Sequence, residues 1–108
     1  MPQIKIRGVE LKEICSLSNQ LVNDLEEIIN CPRNYFTVEY IPSTFISDGN
    51  ISTGYPFVEV AWFDRGQEIQ DKVAVSITHS IQSVGYKNVD VIFTALKQND
   101  YYENGEHF

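Results

Sequence analysis

The 108-residue sequence has little positive charge and contains no long hydrophobic run. Only 8 Lys and Arg residues stand against 15 Asp and Glu residues, which gives a formal net charge of −7. An acidic surface repels phosphate backbones and anionic lipids, so we expect neither a nucleic-acid partner nor a membrane partner. The apolar runs are far shorter than the roughly 20 residues that a membrane-spanning helix requires.

Cysteine and histidine are also scarce. Cys15 and Cys31 do not form a CxxC motif, and His79 and His107 have no ligand spacing, so we expect no metal site. Glycine-rich phosphate-binding motifs are missing, and we expect no cofactor. Two isolated thiols are typical of a reduced protein, and the N-terminal residues do not follow the pattern of a signal peptide. These features predict a cytoplasmic location.

The residues that are present have the composition of a folded domain. Hydrophobic residues make up 43% and charged residues 21% of the chain, which argues against disorder. A chain of this length buries roughly two thirds of the surface that its unfolded form exposes. We therefore predict a single domain spanning residues 1–108.

The sequence repeats itself at an offset of 54 residues. Pro2 and Pro56 each precede a run of alternating β-branched residues, which is typical of a strand. The same offset relates two further strand-like runs, and a helical pattern with apolar residues three or four apart lies inside each repeat. We therefore predict pseudo-repeats of about 1–54 and 55–108.

The patterns predict six main elements and two hairpins. The elements are strand 2–7, helix 10–30, strand 35–41, strand 56–63, helix 67–84 and strand 89–96. Asp48-Gly49 and Asn104-Gly105 each predict a tight hairpin turn. Asp64 precedes Gln67 by three residues, which resembles a capping box at the start of the second helix.

This order of elements fits two architectures. One consists of two βαβ units that form a four-stranded sheet with both helices on one face. The other is a ferredoxin-like split βαβ fold. Both leave the second face of the sheet without a helix, and a partner subunit is the simplest way to cover it.

Several segments resemble the tautomerase superfamily, and more closely its macrophage migration inhibitory factor branch, whose chains carry two fused βαβ units. The similar segments are Met1-Pro2 at the first strand, residues 32–38 running into Ile41-Pro42, and Tyr55-Pro56 before the third strand. Residues 55–60, 62–68 and 101–108 are more similar to an uncharacterised bacterial subfamily of that superfamily. The resemblance implies an α+β fold with a four-stranded mixed sheet and two helices on one face.

The resemblance also implies an activity and an assembly. Removal of Met1 would leave Pro2 as the N-terminus, and its secondary amine would move a proton between an enol oxygen and a carbon atom. The chains would form homotrimers with sites at the subunit boundaries. The implied walls of the site are Cys31, Pro32, Tyr35, Phe63, Asp64, Arg65, Asp90, Ile92, Tyr101 and Phe108.

The sequence departs from the inhibitory-factor branch at three of these positions. Cys31 replaces a lysine, while Asp90 and Ile92 replace a tyrosine and an asparagine. We therefore do not transfer the phenylpyruvate and dopachrome-type substrates of that branch. Arg65 is an additional cation, and its planar fork is suited to holding a carboxylate in place of the missing lysine.

Three functions are compatible with these observations. The first is a keto–enol tautomerase or isomerase of small 2-keto or related carboxylic acids, with Pro2 as general base. Burial and a nearby cation lower the pKa of an amine, which favours such a base. The second is a non-catalytic homotrimer that binds a small anionic molecule or a protein, and the third is a dimeric ferredoxin-like regulatory module.

Overall fold

A computed structural model describes residues 2–108 of the chain. Met1, whose removal the resemblance implies, lies outside the described residues. The model contains, in chain order, β1 (Gln3–Arg7), α1 (Leu11–Ile29), β2 (Thr37–Ile41), β3 (Phe45–Ser47), β4 (Asn50–Ser52), β5 (Phe57–Trp62), α2 (Gln67–Gln82), β6 (Asp90–Ala95), β7 (Tyr102–Glu103) and β8 (Glu106–His107). All six main elements predicted from the sequence are present, with shifts of one to two residues at most of their ends.

The helix α1 buries one apolar stripe against the sheet. Leu17, Leu21 and Leu25 recur at every fourth position and are all buried, because residues four apart lie on one side of a helix. The helix ends where Asn30 adopts a left-handed conformation with φ 60°. The backbone N–H of Asn30 donates to the carbonyl of Glu26 at 2.8 Å, which satisfies one of the terminal carbonyl groups.

The helix α2 buries a similar stripe, but it begins differently from the prediction. Val73, Ile77 and Ile81 are completely buried. The residue before the helix is Gly66, and no side chain caps the helix N-terminus. The carboxylate of Asp64 accepts a hydrogen bond from the backbone N–H of Gly66 at 2.8 Å instead. The predicted capping box is therefore wrong, because Asp64 lies two residues before the N-cap Gly66 and stabilises the preceding turn.

The strand order of the main sheet is β2-β1-β5-β6. The strands β1 and β2 are parallel, β5 and β6 are parallel, and β1 and β5 pair antiparallel with Lys5 opposite Glu59. Each βαβ unit thus keeps its own two strands adjacent, whereas a split βαβ fold inserts another strand between them. The sheet confirms the double βαβ architecture over the ferredoxin-like alternative.

The two faces of the sheet differ in composition. Ile4, Ile6 and Trp62 point towards the helices and are buried, and they belong to the core that both helices complete. The opposite face carries polar and charged side chains, among them an ion pair of 3.7 Å between Arg7 and Glu59. Neither α-helix of the described residues is long and apolar enough to cross a membrane.

Both predicted hairpin turns are present. Asp48 and Gly49 have φ values of 50° and 79°, and Asn104 and Gly105 have φ values of 54° and 83°. Two successive residues with positive φ define the type I′ turn, which matches the twist of two antiparallel strands. The first turn joins β3 to β4, and the second joins β7 to β8 near the end of the chain.

Candidate functional site

Pro2 lies at the edge of the sheet where β1 and β2 begin and β5 ends. The next residue, Gln3, pairs with Ala61 near the end of β5. The carbonyl of Pro2 accepts a hydrogen bond from the backbone N–H of Thr37 at 3.1 Å. The side chain of Pro2 is less than 2% exposed, so the sheet fixes both its backbone and its ring.

The loop that follows β5 brings Arg65 to the same edge. The Nη1 atom of Arg65 donates to the carbonyl of Phe63 at 2.6 Å, and its guanidinium carbon lies 5.9 Å from the ring centroid of Trp62. Within residues 2–108, carboxylates lie within 4.0 Å of Arg7 and Arg33, whereas none pairs with Arg65. Arg65 is thus a half-buried cation whose other guanidinium N–H groups have no hydrogen-bond partner among residues 2–108.

Cys31 lies in the connection between α1 and β2, where it packs against the core. Its thiol is free and half-buried. Burial raises the pKa of the Cys31 thiol, and the positive charge of Arg65 acts in the opposite direction. An electrostatic effect of Arg65 on Cys31 requires proximity, so the two residues belong to one neighbourhood.

Three aromatic rings form the outer part of this edge. The ring of Phe63 lies 5.4 Å from that of Tyr101 and 5.2 Å from that of Phe108, and the rings of Tyr101 and Phe108 lie 4.9 Å apart. We call these three residues the aromatic cluster. The cluster brings together three positions that the sequence analysis placed in the site.

Tyr35 and Asp64 lie near the same edge but are more exposed. Tyr35 ends a short 3₁₀ turn and is 39% exposed. Tyr35 lies two residues before Thr37, whose backbone N–H donates to the carbonyl of Pro2. The carboxylate of Asp64 is occupied by its hydrogen bond within the loop. Tyr35 is therefore accessible at this edge, whereas Asp64 shapes the loop that carries Arg65.

Asp90 lies at the opposite edge of the sheet. It pairs with Phe57, which pairs in turn with Arg7. Arg7 is four residues along β1 from Gln3, or about 13 Å in an extended strand. A single chain therefore does not bring Asp90 together with Pro2.

Asp90 has a partner that the sequence analysis missed. The Asp90 carboxylate, as an acceptor for the Tyr55 hydroxyl and as a negative charge, raises the pKa of Tyr55. Tyr55 stood out only as part of a Tyr-Pro motif, and nothing in the sequence places its hydroxyl beside a residue 35 positions away. Ile92, the other candidate on β6, pairs with Glu59 in the middle of the uncovered face.

A wide groove lies elsewhere, between the two helices. It has a volume of about 730 Å³ and is lined by residues of α1 and α2, together with Ser83 at the end of α2. None of the candidate residues lines it. Within the described part of the chain, no three His, Cys, Asp or Glu residues are arranged to hold a metal ion. The chemistry available at the Pro2 edge is thus that of a proline, a cation, a thiol and aromatic rings.

Comparison with known proteins identifies the family. A family model described as "Domain of unknown function (DUF1904)" matches residues 1–107, so the chain belongs to the DUF1904 family. A crystal structure of a DUF1904 domain from Sebaldella termitidis is 40% identical, with a TM-score of 0.94 and 100% coverage of both chains. Among curated proteins, none matches the sequence.

More distant structures share the fold. A macrophage migration inhibitory factor homologue from Prochlorococcus marinus is 21% identical, with a TM-score of 0.78 and 98% coverage of both chains. A fused 4-OT protein described as an asymmetric trimer is 14% identical, with a TM-score of 0.77, 97% coverage of this chain and 94% of the other. These similarities confirm the tautomerase-superfamily fold that the sequence resembles.

Proposed function

We propose that this DUF1904 chain is a keto–enol tautomerase or isomerase of small 2-keto or related carboxylic acids, with Pro2 as general base after removal of Met1. The observation that carries the proposal is Arg65, a half-buried cation without a carboxylate partner among residues 2–108, at the same edge as Pro2. A substrate carboxylate or a developing enolate would supply the missing negative charge.

The surroundings of Pro2 favour a neutral amine. A free α-amino group has an ordinary pKa of about 7.7–8.0. Burial and the nearby cation Arg65 both disfavour a second positive charge, so we expect the pKa of the Pro2 amine to fall. The lone pair of a neutral amine can take a proton from the carbon next to a ketone and return it to oxygen or carbon. The five-membered ring, held by the sheet, fixes the direction of that lone pair.

The remaining candidate residues have supporting roles. The aromatic cluster supplies an apolar wall that excludes water and strengthens the attraction between Arg65 and an anion. Tyr35 offers a hydroxyl at the rim, and Asp64 holds the turn that carries Arg65. Catalysis by these groups requires neither a metal nor an organic cofactor.

We further propose that the chain forms a homotrimer in the cytoplasm and that its two pseudo-repeats make up one domain. The uncovered sheet face and the exposed Ile46 and Ile51 on the β3–β4 hairpin, at 72% and 82%, favour contacts between copies. Assembly would also allow Asp90 of a neighbouring copy to approach Pro2. The fused 4-OT trimer of the same fold supports a trimeric assembly.

Isotope exchange tests the proposed activity. Untagged protein with a free Pro2, verified by intact mass, is incubated with 2-oxobutanoate in deuterated water, and loss of the C3 proton signal is followed by NMR. We expect exchange above the buffer rate, and no acceleration by protein that retains Met1, because its Pro2 nitrogen is an amide. Equal exchange in both forms would exclude Pro2 as the base.

The second candidate function is a trimer that binds a small anion or a protein without turnover. The observation that favours it is the burial of Pro2, whose side chain is less than 2% exposed, because a general base must contact its substrate. Binding of 2-oxobutanoate that depends on Arg65, without proton exchange in the verified free-proline form, would support this function.

A further inference from the structure

We propose that the C-terminal segment 98–108 positions the guanidinium group of Arg65, and that Tyr101 and Phe108 do so by holding the ring of Phe63. The inference rests on the proposed function, because it assigns Arg65 an anion to bind. It goes further in making residues at the end of the chain determinants of the affinity for that anion.

The segment contacts the loop after β5 through aromatic rings. The ring of Phe63 touches Tyr101 on one side and stacks on Phe108 on another, with an angle of 22° between the stacked rings. The three centroid distances, 4.9 to 5.4 Å, lie in the range that aromatic pairs prefer. Contacts on two sides restrict the Phe63 ring to one orientation.

Phe63 in turn contacts Arg65 through its backbone. The backbone carbonyl of Phe63 accepts the hydrogen bond from Nη1 of Arg65 at 2.6 Å. A shift of the Phe63 ring would move this carbonyl, because both belong to one residue of a short loop. The guanidinium also lies over the ring of Trp62, which is buried in the core. The segment therefore controls the hydrogen-bonded contact of Arg65, whereas Trp62 belongs to the core.

Hydrogen bonds within the segment 98–108 hold its two ends together. The backbone N–H of Phe108 donates to the carbonyl of Tyr101 at 3.0 Å, and Nε2 of Gln98 donates to the carbonyl of Phe108 at 2.9 Å. The type I′ turn at Asn104 and Gly105 brings Phe108 back beside Tyr101. Tyr101 and Phe108 thus reach Phe63 as one unit.

Arginine modification tests the positioning without any ligand. Wild type, Phe108→Ala, Phe108→Tyr and Tyr102→Ala are treated with phenylglyoxal, and modification of each arginine is followed by peptide mass spectrometry. We expect Arg65 to react severalfold faster in Phe108→Ala, and at the wild-type rate in Phe108→Tyr, which keeps the ring. Tyr102→Ala is the matched control, because Tyr102 packs on His107 rather than on Phe63.

Arg33 is the internal reference in every sample. Its guanidinium is held by Asn23, Asn19 and Glu26, and its modification rate should not differ among the variants. Circular dichroism establishes that each variant is folded. An unchanged Arg65 rate in Phe108→Ala would overturn the inference. An equal acceleration in Tyr102→Ala would also overturn it, because it would indicate general loosening of the hairpin.

A binding titration tests whether the positioning of Arg65 affects the affinity for an anion. For 2-oxobutanoate we expect the dissociation constant of Phe108→Ala to rise about tenfold and that of Phe108→Tyr to stay near wild type. An unchanged constant in Phe108→Ala would show that the segment does not serve anion binding. If wild type binds no 2-oxobutanoate but Arg65 reacts faster in Phe108→Ala, the proposed function fails while the positioning of Arg65 stands.

Discussion

The two ends of the main sheet carry corresponding prolines in similar backbone settings. Pro2 and Pro56 precede equivalent strands of the two repeats, and both are buried. The carbonyl of Pro2 accepts from the backbone N–H of Thr37, and that of Pro56 accepts from the backbone N–H of Asp90, both at 3.1 Å. The repeat thus reproduces the local hydrogen bonding of the strand start at both ends.

The side chains around the two prolines differ. At the Pro56 end the charges have partners, since Arg7 pairs with Glu59 at 3.7 Å and Asp90 accepts from Tyr55. At the Pro2 end, the guanidinium of Arg65 donates to a carbonyl and lies over a ring, and no carboxylate of residues 2–108 forms an ion pair with it. The shared backbone therefore does not determine the chemistry of either end. The two ends differ in the residues that follow their strands and in whether their charged groups have partners.

The largest expected effect separates the two prolines directly. Pro2→Ala should lower the rate of proton exchange into 2-oxobutanoate by about 100-fold or more, because the rigid ring no longer orients the amine. Pro56→Ala should leave the rate near wild type, since Pro56 lies inside the chain and offers no amine. Both proteins need a verified free N-terminus. An equal loss in the two variants would indicate a structural cause.

The second prediction concerns the stability of the Pro56 end. Gly8 has a φ of 82°, and a Cβ atom there would overlap the backbone carbonyl of Tyr55. Gly8→Ala should lower the free energy of unfolding by about 3 kcal/mol. The control Gly85→Ala also has a positive φ, 107°, but meets no atom within 4 Å, and should cost about 1 kcal/mol. Urea unfolding measures both, and equal losses would contradict the overlap.

Local patterns were sufficient to predict most of the fold. The apolar stripes of α1 and α2 and the alternation in β1 and β5 follow from the periodicity of each element. The Asp-Gly and Asn-Gly turns follow from the conformations that these residues tolerate. The pairing of β1 with β5 could not be derived in this way, because it joins two distant segments and periodicity carries no information about pairing.

The candidate site could be predicted only in part. The resemblance assigned Phe63, Tyr101 and Phe108 to one site, and the structure brings them together. The carbonyl acceptor of Arg65 depends on the exact path of a loop, and Asp64 lies two residues before the N-cap position that the predicted capping box gives it. The separation of Asp90 from Pro2 depends on the antiparallel pairing of the two repeats.

The third prediction compares an unpaired arginine with a paired one. Arg65→Ala should weaken binding of 2-oxobutanoate by about tenfold or more, because a hydrogen bond to a charged group contributes about 1.5–3 kcal/mol. Arg33→Ala removes the same charge from a guanidinium that already has protein partners and should change the affinity little. Isothermal titration measures both constants. Equal losses would mean that net charge, rather than the position of Arg65, governs binding.

The smallest expected effect concerns the pair of Tyr55 and Asp90 at the Pro56 end. The neutral phenol donates to Asp90, and the carboxylate repels the phenolate, so the pKa of Tyr55 is raised in the folded protein. A raised pKa of this kind stabilises the fold below the ordinary tyrosine pKa of about 10. That stabilisation is lost as the pH rises through the pKa that Tyr55 has in the folded protein.

Asp90→Asn should therefore bring the pKa of Tyr55 closer to its ordinary value. NMR titration of the Tyr55 ring follows this change, with Tyr55→Phe for assignment. An unchanged pKa in Asp90→Asn would show that the two side chains do not interact in solution, and the charges at this end would then be less completely paired than the structure indicates.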